Sequence, residues 1–150
     1  MTYQTPKPAE SGGSSDGLVL RPVGRVESPL VDLDAGPPQG DEGAPDAWLL
    51  LDPSVHPAAA DLTVGSEVLV LTWLDRADRR ILAVHPRGDE TRPLTGVFST
   101  RSPDRPNPIG LHRVRILAID SNRIQVSHLE AVDGTPILDI KPVLETPGER

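Results

Sequence analysis

Cysteine is missing from all 150 residues, which removes a disulfide framework, a thiolate zinc site and a cysteine nucleophile together. Aromatic residues are nearly missing as well. Only Tyr3, Trp48, Trp73 and Phe98 occur, too few for an extended platform on which single-stranded bases could stack. No apolar run reaches membrane-crossing length and no secretory signal is visible, so the expected compartment is the cytoplasm, with no membrane partner. A G-x-G-x-x-G fingerprint after a strand and a Walker loop are both absent, which removes the usual dinucleotide and nucleoside-triphosphate sites. His56, His85, His112 and His128 stand apart, without the i, i+4 pairing or carboxylate company that zinc requires, so no metal is expected. Each reads as an ordinary surface or partly buried histidine, with His128 the one to watch because it lies on an expected strand between Ser127 and Leu129. Ser-His-Asp catalysis has no elbow motif behind it.

What is present is turn chemistry. Seventeen prolines and thirteen glycines leave little room for long helices. Residues 1–17 are rich in Ser, Gly, Pro and charge and read as a disordered tail; a single domain is expected over 18–146, with 147–150 as a second short tail. Within the domain the apolar residues fall in short runs suited to strands: 18–26, 67–74, 80–86, 95–100, 111–119, 122–132 and 135–143. Asp120-Ser121-Asn122 reads as a hairpin turn, Pro57–Asp61 as a short helix, and Ala44–Trp48 as a further helical turn. The expected fold is therefore all-β: a small closed β-barrel of about seven short strands with long loops and few short helices, closure being the way to remove sheet edges. Residues 27–47 are too polar and broken for a strand and read as a long excursion: a cover for a ligand, a reach toward a neighbouring subunit or a tolerated insertion.

Charge is unevenly spread. The chain carries a net −7, which argues against a nucleic-acid partner, yet ten arginines between Arg76 and Arg123 face only five acidic residues. Such a belt either tracks phosphates or is the solvated face of several strands.

Two segments stand out. GVFSTRSPDRPNPIGL, from Gly96 to Leu111, sets three prolines, two arginines and an asparagine between apolar flanks. Pro103, Pro106 and Pro108 fix their own φ and keep Ser102, Arg105 and Asn107 out of helix, so the loop is stiff before any ligand arrives. Arg101 and Arg105 offer forked donors for carboxylate or phosphate, and Asn107 offers a donor and an acceptor. The second segment, VDGTPILDIKP, runs from Val132 to Pro142: a tight turn, then a strand with Asp139 and Lys141 at i, i+2 on one face. The pair either lines a polar pocket or forms an exposed bridge of little worth.

In this order, about twenty residues apart, the two segments resemble the signature motifs of the TsaA-like (TrmO) family of S-adenosylmethionine-dependent tRNA methyltransferases, and VGRVESPL (Val23 to Leu30) resembles its first strand. The resemblance implies a barrel that works as a homodimer, binds S-adenosylmethionine near the subunit contact, and methylates the exocyclic nitrogen of threonylcarbamoyladenosine in tRNA. It places cofactor contacts at Arg101 and Leu111 and at Ser127, His128, Leu129 and Glu130; Pro38 and Gln39 resemble a Pro-x-Gln loop, and Asp75-Arg76 the family's polar pair after the central strand. With that ligand, Arg101 suits the carboxylate, Arg105 and Asn107 complete the cradle, and Glu130 suits the ribose hydroxyls. Asp133 or Asp139 could take the departing proton, with Lys141 fixing a carboxylate or touching phosphate. Val143 stands where the family shows tyrosine and His112 where it often shows serine, and longer members continue past the position of Arg150 into a domain that helps hold tRNA. These departures leave open a methyltransferase for a small or different acceptor, or a barrel that binds S-adenosylmethionine without turnover.

Overall fold

The computed structural model describes residues 17–32 and 43–145. The expected tails at 1–16 and 147–150, and Pro38 and Gln39 of the excursion, lie outside the described residues.

Among the described residues eight strands form: β1 (Gly24–Glu27), β2 (Ala47–Leu51), β3 (Glu67–Trp73), β4 (Ala83–Val84), β5 (Thr95–Gly96), β6 (Ile109–Asp120), β7 (Arg123–Val126) and β8 (Pro136–Pro142). Six of them close a barrel in the order β1-β2-β7-β6-β3-β8, with β8 returning to β1, and every pairing is antiparallel. Closure leaves the barrel no free edge. β4 and β5 pair only with each other, as a small two-stranded ribbon outside the barrel.

Alternation explains which residues fill the interior. In β3 the side chains of Val68, Val70 and Thr72 point in, and in β2 those of Ala47, Leu49 and Leu51 do so. Val26, Val114, Ile116, Ile124, Val126 and Ile137 complete a packed core, which Leu129 and Ala131 close from the segment after β7. The interior is thus filled with branched aliphatic side chains, as small barrels require.

Five sequence expectations are corrected. Ala44–Trp48 is no helical turn: from Ala47 the run continues as the strand β2, because pairing with β1 and β7 and period-2 alternation bury every second residue. The strand expected over 18–26 is confined to Gly24–Glu27, since Leu18, Val19 and Leu20 find nothing to pack against and stay exposed. Those expected over 80–86 and 95–100 shrink to the two-residue β4 and β5, with Val97–Ser99 in a 3-10 turn. The short helix is also a 3-10 turn, Pro53–Ala59, capped by Asp52 through the Ser54 amide. The hairpin at Asp120–Asn122 forms as read: Asp120 pairs with Arg123, and Ser121 takes φ 55°.

β6 and β3 share the longest pairing, seven residues deep. Gly110 sits inside it because a Cβ there would strike Thr72 Oγ1 and the His112 ring. That space lets His112 Nε2 hydrogen-bond Thr72 Oγ1 at 2.8 Å at the end of the barrel interior. Burial pushes the His112 imidazole down to about 4, so it is neutral at ordinary pH.

Candidate functional site

Between β3 and β6 the chain leaves the barrel as a lobe, residues 74–108, whose base is closed by the Leu74 amide donating to the Pro108 carbonyl at 2.8 Å. The proline loop within it is braced from both sides. Arg79 donates from Nε to the Pro106 carbonyl at 2.7 Å and from Nη2 to Asn107 Oδ1 at 2.9 Å, while its guanidinium lies 5.2 Å from the Trp73 ring centre. The Asp78 amide donates to Asp104 Oδ1 at 2.8 Å. From inside, Arg105 donates to the carbonyls of Val97, Thr100 and Ser102, at 2.6, 3.1 and 3.2 Å.

These contacts separate the two arginines of the motif. Arg105 and Asn107 are engaged in holding the loop's shape. Arg101 is exposed and makes no hydrogen bond or ion pair among the described residues. It lines an open depression of about 810 Å³. One wall is Ser99–Asp104, the other is Ala83–Gly88 with Glu90 and Leu94, and Glu130 reaches in from the segment after β7. Arg101 and Glu130, far apart in sequence, therefore share one cavity of a size suited to a nucleoside-like ligand.

The other expected site residues are distributed more widely. Leu129 is fully buried in the core and its amide donates to the Pro45 carbonyl at 3.0 Å. Ser127 Oγ accepts from the Arg115 amide at 3.0 Å. His128 takes φ 45°, and its Nδ1 and amide meet the Ala44 carbonyl and Asp46 Oδ1 at 3.0 and 3.2 Å. Together these bonds pin the 127–130 segment to the end of the excursion and so place Glu130. Leu111 is exposed on the outer face of β6. Asp75 and Arg76 are exposed just after β3, with Arg76 donating to the Val31 carbonyl at 3.2 Å.

Asp133, Asp139 and Lys141 do not line the depression. Asp133 Oδ1 accepts from the Ser28 amide at 3.0 Å, and its own amide donates to the Leu30 carbonyl at 2.7 Å, which ties the DGTP turn to the chain leaving β1. Gly134 supplies φ 84° for that turn. Asp139 and Lys141 pair at 3.1 Å on the outside of β8 with both side chains about half exposed. Of the two readings of that pair, the structure has the exposed bridge.

Five of the ten belt arginines are held in ion pairs. Arg113 and Arg115 meet Glu67, Arg80 meets Asp78, Arg92 meets Asp89, and Arg123 meets Glu27 while lying 4.4 Å from the Trp48 ring centre. The hydrogen bond from Arg113 holds the Glu67 carboxyl below its ordinary range. What sequence reasoning missed is the second wall of the depression, the His-Pro-Arg-Gly turn after β4. The signal was there in Pro86 and Gly88 flanking Arg87, which takes φ 57°.

A closed barrel carrying a ligand-sized site in a lobe between two strands defines a small β-barrel binding domain, distinct from doubly wound nucleotide-binding folds. The family described as the tRNA-methyltransferase O N-terminal domain matches residues 25–147, and the chain belongs to it. A probable S-adenosyl-L-methionine-binding protein of Methanothermobacter thermautotrophicus is 41% identical over 126 residues, covering 84% of this chain and 90% of that one. One from Archaeoglobus fulgidus is 40% identical over 127 residues, covering 85% of this chain, which spans only 34% of that longer relative. The crystal structure of TrmO from Pseudomonas aeruginosa superposes with a TM-score of 0.67 at 29% identity, over 89% of this chain and 61% of that one.

Proposed function

We propose that this domain binds S-adenosylmethionine in the lobe depression and transfers its methyl group to the exocyclic nitrogen of threonylcarbamoyladenosine in tRNA. The observation that carries the reading is the meeting of Arg101 and Glu130 in one cavity. The donor set suits the cofactor's parts: an uncommitted guanidinium for the amino-acid carboxylate and a carboxylate for the ribose diol. Its volume, about 810 Å³, accommodates a nucleoside and its amino-acid tail. When bound, the cofactor supplies an electrophilic methyl on a sulfonium. The protein's work is then positional, and the braced proline loop suits it, because Arg101 is presented on a frame that has little ordering entropy left to lose. The named relatives support the ligand, and the family supports the chemistry.

The active form is proposed as a homodimer. The outer face of β6 and β3 presents Ile109, Leu111, Leu69, Leu71 and Trp73 side by side, with Asp139 and Lys141 beside them on β8. Ile109 and Leu111 are 43% and 44% exposed there, and a second copy of the chain is the occupant that covers such a face symmetrically.

A methyltransferase for a smaller acceptor is the second reading, favoured by the net charge of −7 and by the five belt arginines already held in ion pairs. The deciding experiment incubates the protein with labelled S-adenosylmethionine and total tRNA containing threonylcarbamoyladenosine, then digests to nucleosides for mass spectrometry. A mass gain of one methyl on that nucleoside is expected. Cofactor binding with label only on small molecules transfers the assignment to the second reading, and binding without any transfer removes both.

A further inference from the structure

The depression has a histidine wall that the cofactor reading leaves without a task. His85 begins the turn after β4, is exposed, and lines the same cavity as Arg101 and Glu130. Its ring is fixed. Nδ1 lies 2.9 Å from the Arg92 carbonyl, an atom that can only accept, so Nδ1 carries the hydrogen and the neutral ring keeps its lone pair on Nε2. The loop that supplies that carbonyl is itself locked. The Gly88 amide donates to the His85 carbonyl at 3.0 Å, the Arg92 amide to the Asp89 carbonyl at 3.0 Å, and the Thr91 hydroxyl to Asp89 Oδ1 at 2.6 Å. A ring held in one tautomer by a second group, at the mouth of a ligand-sized cavity, is the arrangement by which a general base is made ready.

We propose that His85 is a catalytic residue, the general base that removes the proton from the methyl acceptor, with Nε2 as the accepting atom. The inference rests on the methyltransferase reading above. The balance is simple: as the acceptor heteroatom gains its bond to the methyl carbon, the carbon–sulfur pair stays on sulfur, and the acceptor's hydrogen remains as a surplus proton. His85 Nε2 takes it, the ring becomes an imidazolium, and solvent recovers the proton at the open mouth. The other acidic candidates have different commitments or a different face. Asp133 is bonded to the Ser28 amide, Asp139 is paired with Lys141, and neither lines the cavity. Asp104 lines it, but its Oδ1 is occupied by the Asp78 amide. Charged groups sharing the cavity with His85 are Arg87, Glu90, Arg101, Asp104 and Glu130, with Asp89 and its ion-pair partner Arg92 in the turn behind. Among these types, the neutral imidazole is the one that most often serves as a general base.

The discriminating variant is His85→Asn. An asparagine amide can still donate to the Arg92 carbonyl in place of Nδ1–H, and it has no base in place of Nε2. Two measurements are made. In the first, nitrogen-15 spectra of the histidine rings, with His85 assigned by its loss in the variant, read the tautomer and its response to S-adenosylhomocysteine. The Nδ1–H form is expected, with its ring signals moving on titration. An Nε2–H ring, or a ring that stays unmoved while the protein saturates with S-adenosylhomocysteine, overturns the proposal. Absence of any S-adenosylhomocysteine binding removes the cofactor reading and the base with it. In the second, methyl transfer to tRNA is followed against pH. The variant should bind S-adenosylhomocysteine within about twofold of the unsubstituted protein yet lose on the order of 100-fold in kcat, with the acid limb of the profile flattened. Wild-type kcat and an unchanged acid limb in His85→Asn would assign the ring a purely structural part, while leaving the methyltransferase reading intact.

Discussion

Single residues here divide by whether their polar atoms are already satisfied. Arg105 spends its fork on three carbonyls of its own loop, so truncation should cost stability rather than ligand contact. For Arg105→Ala we expect a loss of about 2–4 kcal/mol in urea unfolding, since partly buried carbonyls lose charge-assisted partners. His112 lies at the opposite extreme, partly buried and neutral. An unfolded chain protonates this histidine below about the ordinary imidazole value of 6.5, whereas the folded protein resists until about 4. Between those values the unfolded state binds more protons, so stability rises with pH and falls as the solution is acidified through that window. The full penalty is up to about 3 kcal/mol, reduced by whatever solvent reaches the ring. His112→Gln can keep a contact with Thr72 and does not titrate. Its urea midpoint should therefore change less between pH 7 and pH 4.5 than that of the unsubstituted protein, and equal slopes would show that the ring titrates freely in the fold. At this scale the sequence assigned both Arg101 and Arg105 to the ligand, whereas the structure commits Arg105 to its own loop. Both arginines sit in one motif with identical chemistry, and only the path of the backbone decides which of them faces its own carbonyls.

At the scale of elements, the barrel strands were legible wherever one face is buried, as in β3 and β7, whose alternation survives from sequence to burial pattern. β2 was not. Ala and Leu favour helix intrinsically, and only pairing with β1 and β7, which the local sequence does not encode, turns Ala47, Leu49 and Leu51 inward. Because Leu49 is fully buried in that strand, Leu49→Ala should destabilise the domain by about 2–5 kcal/mol in chemical denaturation. The lobe was the least legible element, for a related reason. Its ribbon is two residues a side, and its shape comes from braces such as Arg79 to Asn107 that join positions far apart in sequence. Arg79 touches none of the cavity-lining atoms described, yet Arg79→Ala should weaken S-adenosylhomocysteine binding severalfold by loosening the frame that presents Arg101. Unaltered affinity in that variant would mean that the prolines alone hold the loop.

The whole molecule combines a closed barrel, which supplies rigidity, with an inserted lobe, which carries the depression proposed as the site. Its outer β6–β3 face gives a prediction about assembly. Sedimentation should find a dimer, and Leu111→Asp should shift it to monomer by placing a charge on the apolar face; a monomer at tens of micromolar before any substitution would contradict the dimer. Fold class was readable from short apolar runs punctuated by proline, glycine and charged residues that mark turns, and the family from the resemblance of two motifs. The cavity was not, since its walls come from residues 83–104 and from Glu130, brought together only by closure of the barrel.

The central claim is that Arg101 and Glu130 hold one S-adenosyl ligand in the lobe depression, and calorimetric titration with S-adenosylhomocysteine tests it most directly. The account predicts one site per chain in the unsubstituted protein. It predicts affinity reduced more than about tenfold in Arg101→Ala, the effect of losing a charge-assisted hydrogen bond of about 1.5–3 kcal/mol, with thermal stability unchanged because Arg101 has no partner among the described residues. A binding curve in Arg101→Ala superimposable on that of the unsubstituted protein would contradict it.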